Sequence, residues 1–376
     1  MIEIRTHTDG GQAAERVARD VAGFVDEARE SLDVAQYDFN LQPSTAAIVG
    51  GAIKAVAARG VDVRIAYNVD FRNPIPVPPP PEPDAALIAS FGVPARAIAG
   101  VPDLMHHKYV VRDRESVWTG SMNWTDDSFQ RQENVIAVVA SPELAAAFAE
   151  DFDQLWTTGA VEQSGFVEPR TIGVDGTPVR AWFTPGYGED LSARIARAIV
   201  RAKRRVRIAS PVITTGAVLG ALAQVVSEAR LDVAGVVDQP QINGVVYEWT
   251  RNGNAYWKLP LLVRGLTGPF SAKPSTPWEP GDVLHDFMHA KVTVADDSVF
   301  LGSYNLSRSG ERNAENVLEI ESAELADRLA AYVDEIRALY PPLTLSDGDP
   351  PHDADARQRQ YGGKAEAERP GAAFDD

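Results

Sequence analysis

Two stretches of this chain repeat each other, and the repeat limits what the chain can fold into more than anything else in it. The first reads MHHKYVVRDRESVWTGSMNWTDDSFQRQENV and the second MHAKVTVADDSVFLGSYNLSRSGERNAENV. Each holds His-x-Lys, an Asp four residues on, then Gly-Ser-x-Asn. The residues are His106, Lys108, Asp113, Gly120, Ser121 and Asn123, and then His289, Lys291, Asp296, Gly302, Ser303 and Asn305. Composition alone gives about 0.01 chance matches to His-x-Lys-x4-Asp in a chain of this make-up, so two of them are a duplication. Counted from the glycines, Asn134 and Asn316 both lie 14 residues on, which sets Glu133 and Glu315 at matching places. SPELAAAFAEDFDQLW after the first copy also answers to SAELADRLAAYVDEIRALY after the second.

The segments around the repeat share one rhythm. Apolar spacings of three and four predict a helix from Gln12 to Arg29, then a strand from Leu32 to Phe39. A second helix from Thr45 to Arg59 and a strand from Val61 to Tyr67 follow. The order restarts with a helix from Asp190 to Ala202, a strand from Val206 to Val212, a helix from Gly216 to Arg230 and a strand from Leu231 to Val237, where RLDVAGVVD echoes RGVDVRIAYNVD. Helix and strand in alternation imply an α/β protein with parallel pairs. The expected organisation is a lobe over 1–160, a linker over 161–185, a second lobe over 186–343, and an acidic disordered tail over 344–376 with too few apolar side chains to fold.

The motif has a physical reading of its own. In each copy the apolar alternation around His and Lys reads as a strand, which puts both side chains on one face. A turn and a short strand then bring Gly-Ser-x-Asn beside them, where glycine permits close backbone approach and Ser and Asn offer neutral donors. Each copy is half a site for an oxyanion. Two halves facing each other surround one tetrahedral anion with two imidazoles, two ammonium groups and two carboxamides, which is what phosphoryl transfer needs. One imidazole can attack phosphorus while the other serves as acid and then base. No metal or other cofactor is called for, since the two lysines supply the positive charge, and Lys beside His is a poor cation ligand set.

The duplicated motif resembles the phospholipase D superfamily, which includes phospholipases, cardiolipin synthases and several nucleases, over roughly residues 12 to 340. The resemblance implies a phospholipase D-like fold: two duplicated α/β/α lobes with mixed, largely parallel sheets and one active site on the pseudo-twofold axis between them. It also implies a phosphohistidine intermediate, no metal, and a monomer acting as a pseudo-dimer. By the same resemblance His106 is the nucleophile and His289 the acid, with Lys108, Asn123, Lys291 and Asn305 around the phosphate. Glu133 and Glu315 orient the two histidines, Asp113 and Asp296 are more structural, and Ser121 and Ser303 are supporting. HHKYVVRD and TGSMNWTDDSFQRQENV are closest to the nuclease-like and mitochondrial cardiolipin-hydrolase-like branch. The substrate is thus a phosphodiester, with nucleic acid slightly ahead of phospholipid; a silent module that binds phosphate esters is the reading from another class.

Composition narrows this further. The 376 residues carry 53 acidic and 36 basic side chains, a net charge of −17, and no cysteine, which excludes disulfides, thiolate nucleophiles and cysteine-bound zinc. The charge argues against a protein that coats long nucleic acid. No stretch is apolar enough to span a membrane and the start lacks signal-peptide order, so the expectation is a soluble cytoplasmic protein. Seven of the ten residues at 74–83 are proline, which reads as a stiff connector or else a docking segment. Arg194, Arg197, Arg201 and Arg204 or Arg205 form a stripe that is a solvated helix face or a phosphate contact. His107 and His285 have no counterparts across the repeat and read as structural. The segment Val245 to Trp278, with Tyr247, Trp249, Tyr256, Trp257 and Phe270, either walls the pocket or caps the core.

Overall fold

The computed structural model describes residues 1–69, 83–253, 255–276 and 284–345. Most of the proline run, Trp278 and the tail beyond residue 345 lie outside the described residues. The first half contains β1 (Ile2–His7), β2 (Ser31–Gln36), β3 (Phe39–Asn40), β4 (Asp62–Val69), β5 (Ala95–Ala99), β6 (Lys108–Arg112), β7 (Ser116–Gly120), β8 (Trp124–Thr125) and β9 (Asn134–Ala140). The second contains β10 (Thr171–Val174), β11 (Thr177–Thr184), β12 (Arg205–Ala209), β13 (Asp232–Asp238), β14 (Phe270–Lys273), β15 (Val292–Ala295), β16 (Ser298–Gly302) and β17 (Glu315–Glu321).

One sheet runs β1-β9-β7-β6-β2-β4-β5 and the other β10-β11-β17-β16-β15-β12-β13-β14. Strand for strand the orders coincide once β10 is set aside, so the duplication in sequence is a duplication of topology. Fold class is as expected, with three corrections. Within these two sheets only the β2-β4-β5 and β12-β13-β14 pairs are parallel and the others are antiparallel, because each His-x-Lys strand returns through a tight turn into a hairpin; β3 and β8 form a separate parallel pair. The stretch 161–185, expected as a linker, supplies β10 and β11, and β11 pairs with β17 in the second sheet. The strand expected from Leu32 to Phe39 also divides at Tyr37 and Asp38.

Both faces of each sheet are buried, as strand alternation dictates. Leu32, Val34, Val63 and Ile65 pack with Val17, Val21, Val49 and Ile53 of the helices Ala14–Asp26 and Pro43–Ala58. The intervening Ala35 and Ala66 face the other way, into a cluster with Phe148 and Phe152 of the helix Pro142–Thr158. That cluster continues into the second half through Val292, Leu318, Val333 and Ile336, the last two on the helix Ala323–Leu339. One apolar layer therefore serves both sheets and fixes the lobes against each other. The 245–278 segment is divided in role: Trp249 and Phe270 are core, while Tyr256 and Trp257 are exposed. No helix among the described residues is long and apolar enough to cross a membrane.

The glycine of each Gly-Ser lies where strands meet. A Cβ on Gly302 would come 2.0 Å from the Asn316 carbonyl oxygen. On Gly120, at φ +155, it would come 2.2 Å from that of Val135. Gly120→Ala and Gly302→Ala are each expected to destabilise by about 2–3 kcal/mol or more, because backbone must move. Gly23→Ala, in the open interior of a helix with nothing within 4 Å, is expected to stabilise by about 0.5–1 kcal/mol. Urea unfolding of the three variants measures both signs.

Candidate active site

The two motifs meet at the junction of the sheets. Met105 and Ala314 form a parallel bridge, and the His106 amide donates to the Ala314 carbonyl at 2.9 Å. The His106 ring then places Nδ1 2.8 Å from Glu315 Oε2. Across the axis, His289 Nδ1 lies 3.2 Å from Asn134 Oδ1. Each imidazole is thus held by the strand of the other half. Asn316 Nδ2 adds a third crossing, donating to Thr119 Oγ1 at 2.6 Å.

The lysines follow a common geometry. Lys108 Nζ donates to its own His106 carbonyl at 2.7 Å, and Lys291 Nζ to that of His289 at 2.8 Å. The two-residue step that puts His and Lys on one side thus persists, although β6 begins at Lys108 and β15 only after Lys291. Asn123 Oδ1 and Asn305 Oδ1 are buried with no hydrogen-bond partner among the described residues. Ser121 and Ser303 tie the motif to the last strand, where Ser121 Oγ accepts from Val135 N and Ser303 Oγ from Asn316 N, both at 3.0 Å.

The aspartates lie at the far ends of the hairpins, at positive φ. Asp113 accepts the backbone N–H groups of Arg29, Glu30 and Ser31, and Asp296 those of Lys203, Arg204 and Arg205, at 2.7 to 3.1 Å. Partial burial pushes both carboxyls up, but these donors outweigh it and hold both below the usual range. They anchor each hairpin to the start of β2 or β12.

Glu133 is the one motif residue that does not lie where the spacing puts it. Its carboxylate is bound by Lys273 Nζ at 3.0 and 3.1 Å and by the Tyr340 hydroxyl, and it makes no hydrogen bond to His289. The cause is a difference of one residue in the connections: Ser121 to the start of β9 is 13 residues, whereas Ser303 to the start of β17 is 12.

Other side chains bear on the site without any motif signal. Tyr37, at the break after β2, sets its ring 4.5 Å from that of His106 and 4.6 Å from Lys108 Nζ. Asn68 Oδ1 and Asp238 Oδ2 accept the amides of Met105 and Met288, just before the two histidines, at 2.9 and 3.0 Å. The echo of VDVRIAYN in LDVAGVVD holds the signal for this pair. His107 packs on the opposite face with Nε2 3.0 Å from Asp151 Oδ2, and His285 lies tilted at 4.5 Å against Phe287, which meets the His289 ring edge-on at 4.9 Å. In the arginine stripe, Arg194 binds Glu319, Arg204 binds Asp297 and Arg205 binds Asp327. Among the described residues no cluster of three or more His, Asp or Glu side chains is arranged to hold a metal ion.

Burial dominates the electrostatics. It lowers Lys108 to about 7 against the pull of Glu315 and Asp38, and lowers Lys291 well below its ordinary value with help from Lys108. It lowers both histidines too, aided by the two lysines. Glu315 is pushed up to about 8 by burial, against Lys108, Ser303, Lys291 and Asn313. An empty site thus tends toward neutrality, and an anion restores its charge.

The sequence matches the family described as "Cardiolipin synthase, PLD-like domain" over residues 22–156 and 195–337. Human mitochondrial cardiolipin hydrolase is 28% identical over 129 residues, 34% of this chain and 46% of that protein. The chain spans about half the length of the curated relatives it matches. Phosphatidylserine synthase of Haemophilus influenzae is similar in fold, with a TM-score of 0.65 and 13% identity over 96% of this chain and 93% of that one. The phospholipase D family member Nuc of Salmonella typhimurium is 28% identical, covers 42% of this chain and 95% of its own, and superposes with a TM-score of 0.33.

Proton linkage follows from the depressed lysines and histidines. A bound anion raises their pKa values, so between the free and bound values the complex holds more protons. Titration with inorganic phosphate near neutral pH is expected to take up protons, read calorimetrically in buffers of different ionisation enthalpy. Lys291→Met is expected to reduce that uptake.

Proposed function

The chain belongs to the cardiolipin synthase, PLD-like domain family, and from that premise we propose that it cleaves phosphodiesters through a covalent phosphohistidine without a metal ion. The observation that carries the reading is the pair of crossing contacts, His106 to Glu315 and His289 to Asn134, which turns two half-sites into one. With Nδ1 of each ring engaged, each Nε2 is left for the phosphorus or the leaving oxygen.

In the first step His106 Nε2 attacks phosphorus, the P–O bond to the leaving alcohol breaks, and His289 gives that oxygen its proton. In the second, His289 takes a proton from water as the water oxygen attacks phosphorus and the P–N bond breaks. His106 is the better nucleophile of the two, because phosphorylation leaves its imidazole cationic and Glu315 stands on its Nδ1. Lys108 and Lys291 stabilise the non-bridging oxygens, with the carboxamides of Asn123 and Asn305 beside them. Glu133 has no step. One chain carries both halves, so a monomer suffices.

Phospholipid is the better substrate class. Three arginines of the stripe, Arg194, Arg204 and Arg205, are engaged by Glu319, Asp297 and Asp327, and a net charge of −17 disfavours following phosphates along a strand. Three of the large apolar side chains left exposed, Tyr256, Trp257 and Val263, also fall within eight residues of each other, a composition suited to a lipid surface.

Bis(p-nitrophenyl) phosphate is expected to be hydrolysed in EDTA, with His106→Ala slower by about a thousandfold or more. Undiminished turnover in that variant would sink the mechanism. Phospholipid vesicles, RNA, single-stranded and duplex DNA offered side by side decide the class, and cleavage of nucleic acid with a steep salt dependence would favour the alternative.

A further inference from the structure

The two halves differ at one atom that matters for their chemistry. Pairing register, rather than residue count, says which side chains are equivalent, and three features give the same answer. Gly120 pairs with Ile136 and Gly302 with Val317. His7 on β1 pairs with Asn134, and Thr184 on β11 with Glu315. The Ser121 amide donates to the Val135 carbonyl and the Ser303 amide to that of Asn316, both at 3.0 Å. In each comparison Asn134 occupies the place of Glu315, and Glu133 that of Ala314.

We infer that Asn134, and not Glu133, is the positioning residue of His289, so that one histidine rests on a carboxylate and the other on a neutral amide. Asn134 is fully buried and held at both ends. Its Nδ2 donates to the Ser128 carbonyl at 3.1 Å, which turns Oδ1 toward His289, and Ser121 Oγ donates to that oxygen at 2.7 Å. With Oδ1 so placed, His289 Nδ1 must be the donor, so the neutral ring carries its lone pair on Nε2 and acts as an acid only once Nε2 has taken up a proton.

Glu133 is held apart by residues that the first half lacks. Asn68 pairs with Ile98 between β4 and β5, and Asp238 with Lys273 between β13 and β14. A buried lysine thus stands in the register position of an isoleucine. Lys273 bridges Glu133 and Asp9 and donates to the Arg131 carbonyl, and Arg131 in turn binds Asp9. That network joins the two halves and turns both oxygens of the Glu133 carboxylate toward Lys273. The charged or titratable groups acting on His289 are Lys291, Lys108, His106 and His285, and none of them is an anion.

This inference rests on the proposed reaction only for its catalytic meaning, and its test involves no turnover. Protein labelled with ¹⁵N at histidine is titrated by NMR, and His106→Gln and His289→Gln assign the two signals. Asn134→Asp is expected to move the His289 midpoint upward by about 1 to 2 pH units, as an added anion within hydrogen-bond reach does. Glu133→Gln should leave His289 where it is. Asn134→Asp also sets a carboxylate oxygen against the Ser128 carbonyl, so Asn134→Ala is measured beside it. Removing the acceptor should convert His289 from the Nδ1–H form to a mixture of tautomers, visible in its nitrogen shifts. A downward move of His289 in Glu133→Gln, or an unmoved midpoint in Asn134→Asp with an unchanged tautomer in Asn134→Ala, would overturn the assignment. Loss of phosphodiester cleavage in every buffer while these shifts appear would instead count against the proposed reaction.

Discussion

Everything in this fold is arranged around a hydrogen bond that neither half can make alone, the one between His106 Nδ1 and Glu315 Oε2. His106 stands just before β6 and Glu315 at the head of β17, so the contact exists only if both sheets are complete and correctly set. The apolar layer shared through Phe148, Phe152, Val333 and Ile336 supplies that setting, and the His106 amide on the Ala314 carbonyl fixes the approach within one residue of the ring. Packing positions the sheets, and the polar contact then makes use of a position already determined.

The interior that provides this accuracy is also hostile to charge. Lys108, Lys291, His106, His289 and Glu315 are all buried, and burial shifts each toward its neutral form. An arrangement of this kind is poorly stabilised when empty, and an added negative charge beside the lysines would offset that cost. The outer charges are kept out of that balance. Asp113 and Asp296 are occupied by three backbone amides each at the distant hairpin turns, and Arg194, Arg204 and Arg205 pair with Glu319, Asp297 and Asp327.

Much of this was legible in the sequence, because duplication repeats whatever is local. The hairpin of His-x-Lys and Gly-Ser, the helix that follows it, and the strand and helix order before it recur with recognisable spacing, and all of them form. The parallel share of the sheets, the strands β10 and β11 and the break at Tyr37 were harder to read, since each depends on which strand lies alongside. The equivalence of Glu133 and Glu315 failed for the same reason. Counting from Gly120 and Gly302 treats the connecting loops as equal, whereas hydrogen-bond register registers an extra residue before β9 and moves every later side chain by one place. Asn68 and Asp238 were visible as an echo, but their use, on the amides of Met105 and Met288, requires knowing that β4 and β13 end beneath the segments that carry His106 and His289.

A one-residue slip usually turns a strand inside out, and here it did not, because β9 kept its apolar alternation on both faces and changed only the residue at its head. The strand interior, Val135, Ile136, Ala137 and Val139, is buried among two clusters that accept small and branched side chains alike. The head of the strand has no such tolerance: it faces a histidine, and a carboxylate or an amide there gives that histidine a different basicity. Symmetry in a duplicated site is therefore protected where packing enforces it and free to break where a single polar side chain meets the reacting groups. Two imidazoles whose Nδ1 atoms meet different head groups, Glu315 and Asn134, are already distinct before any ligand arrives.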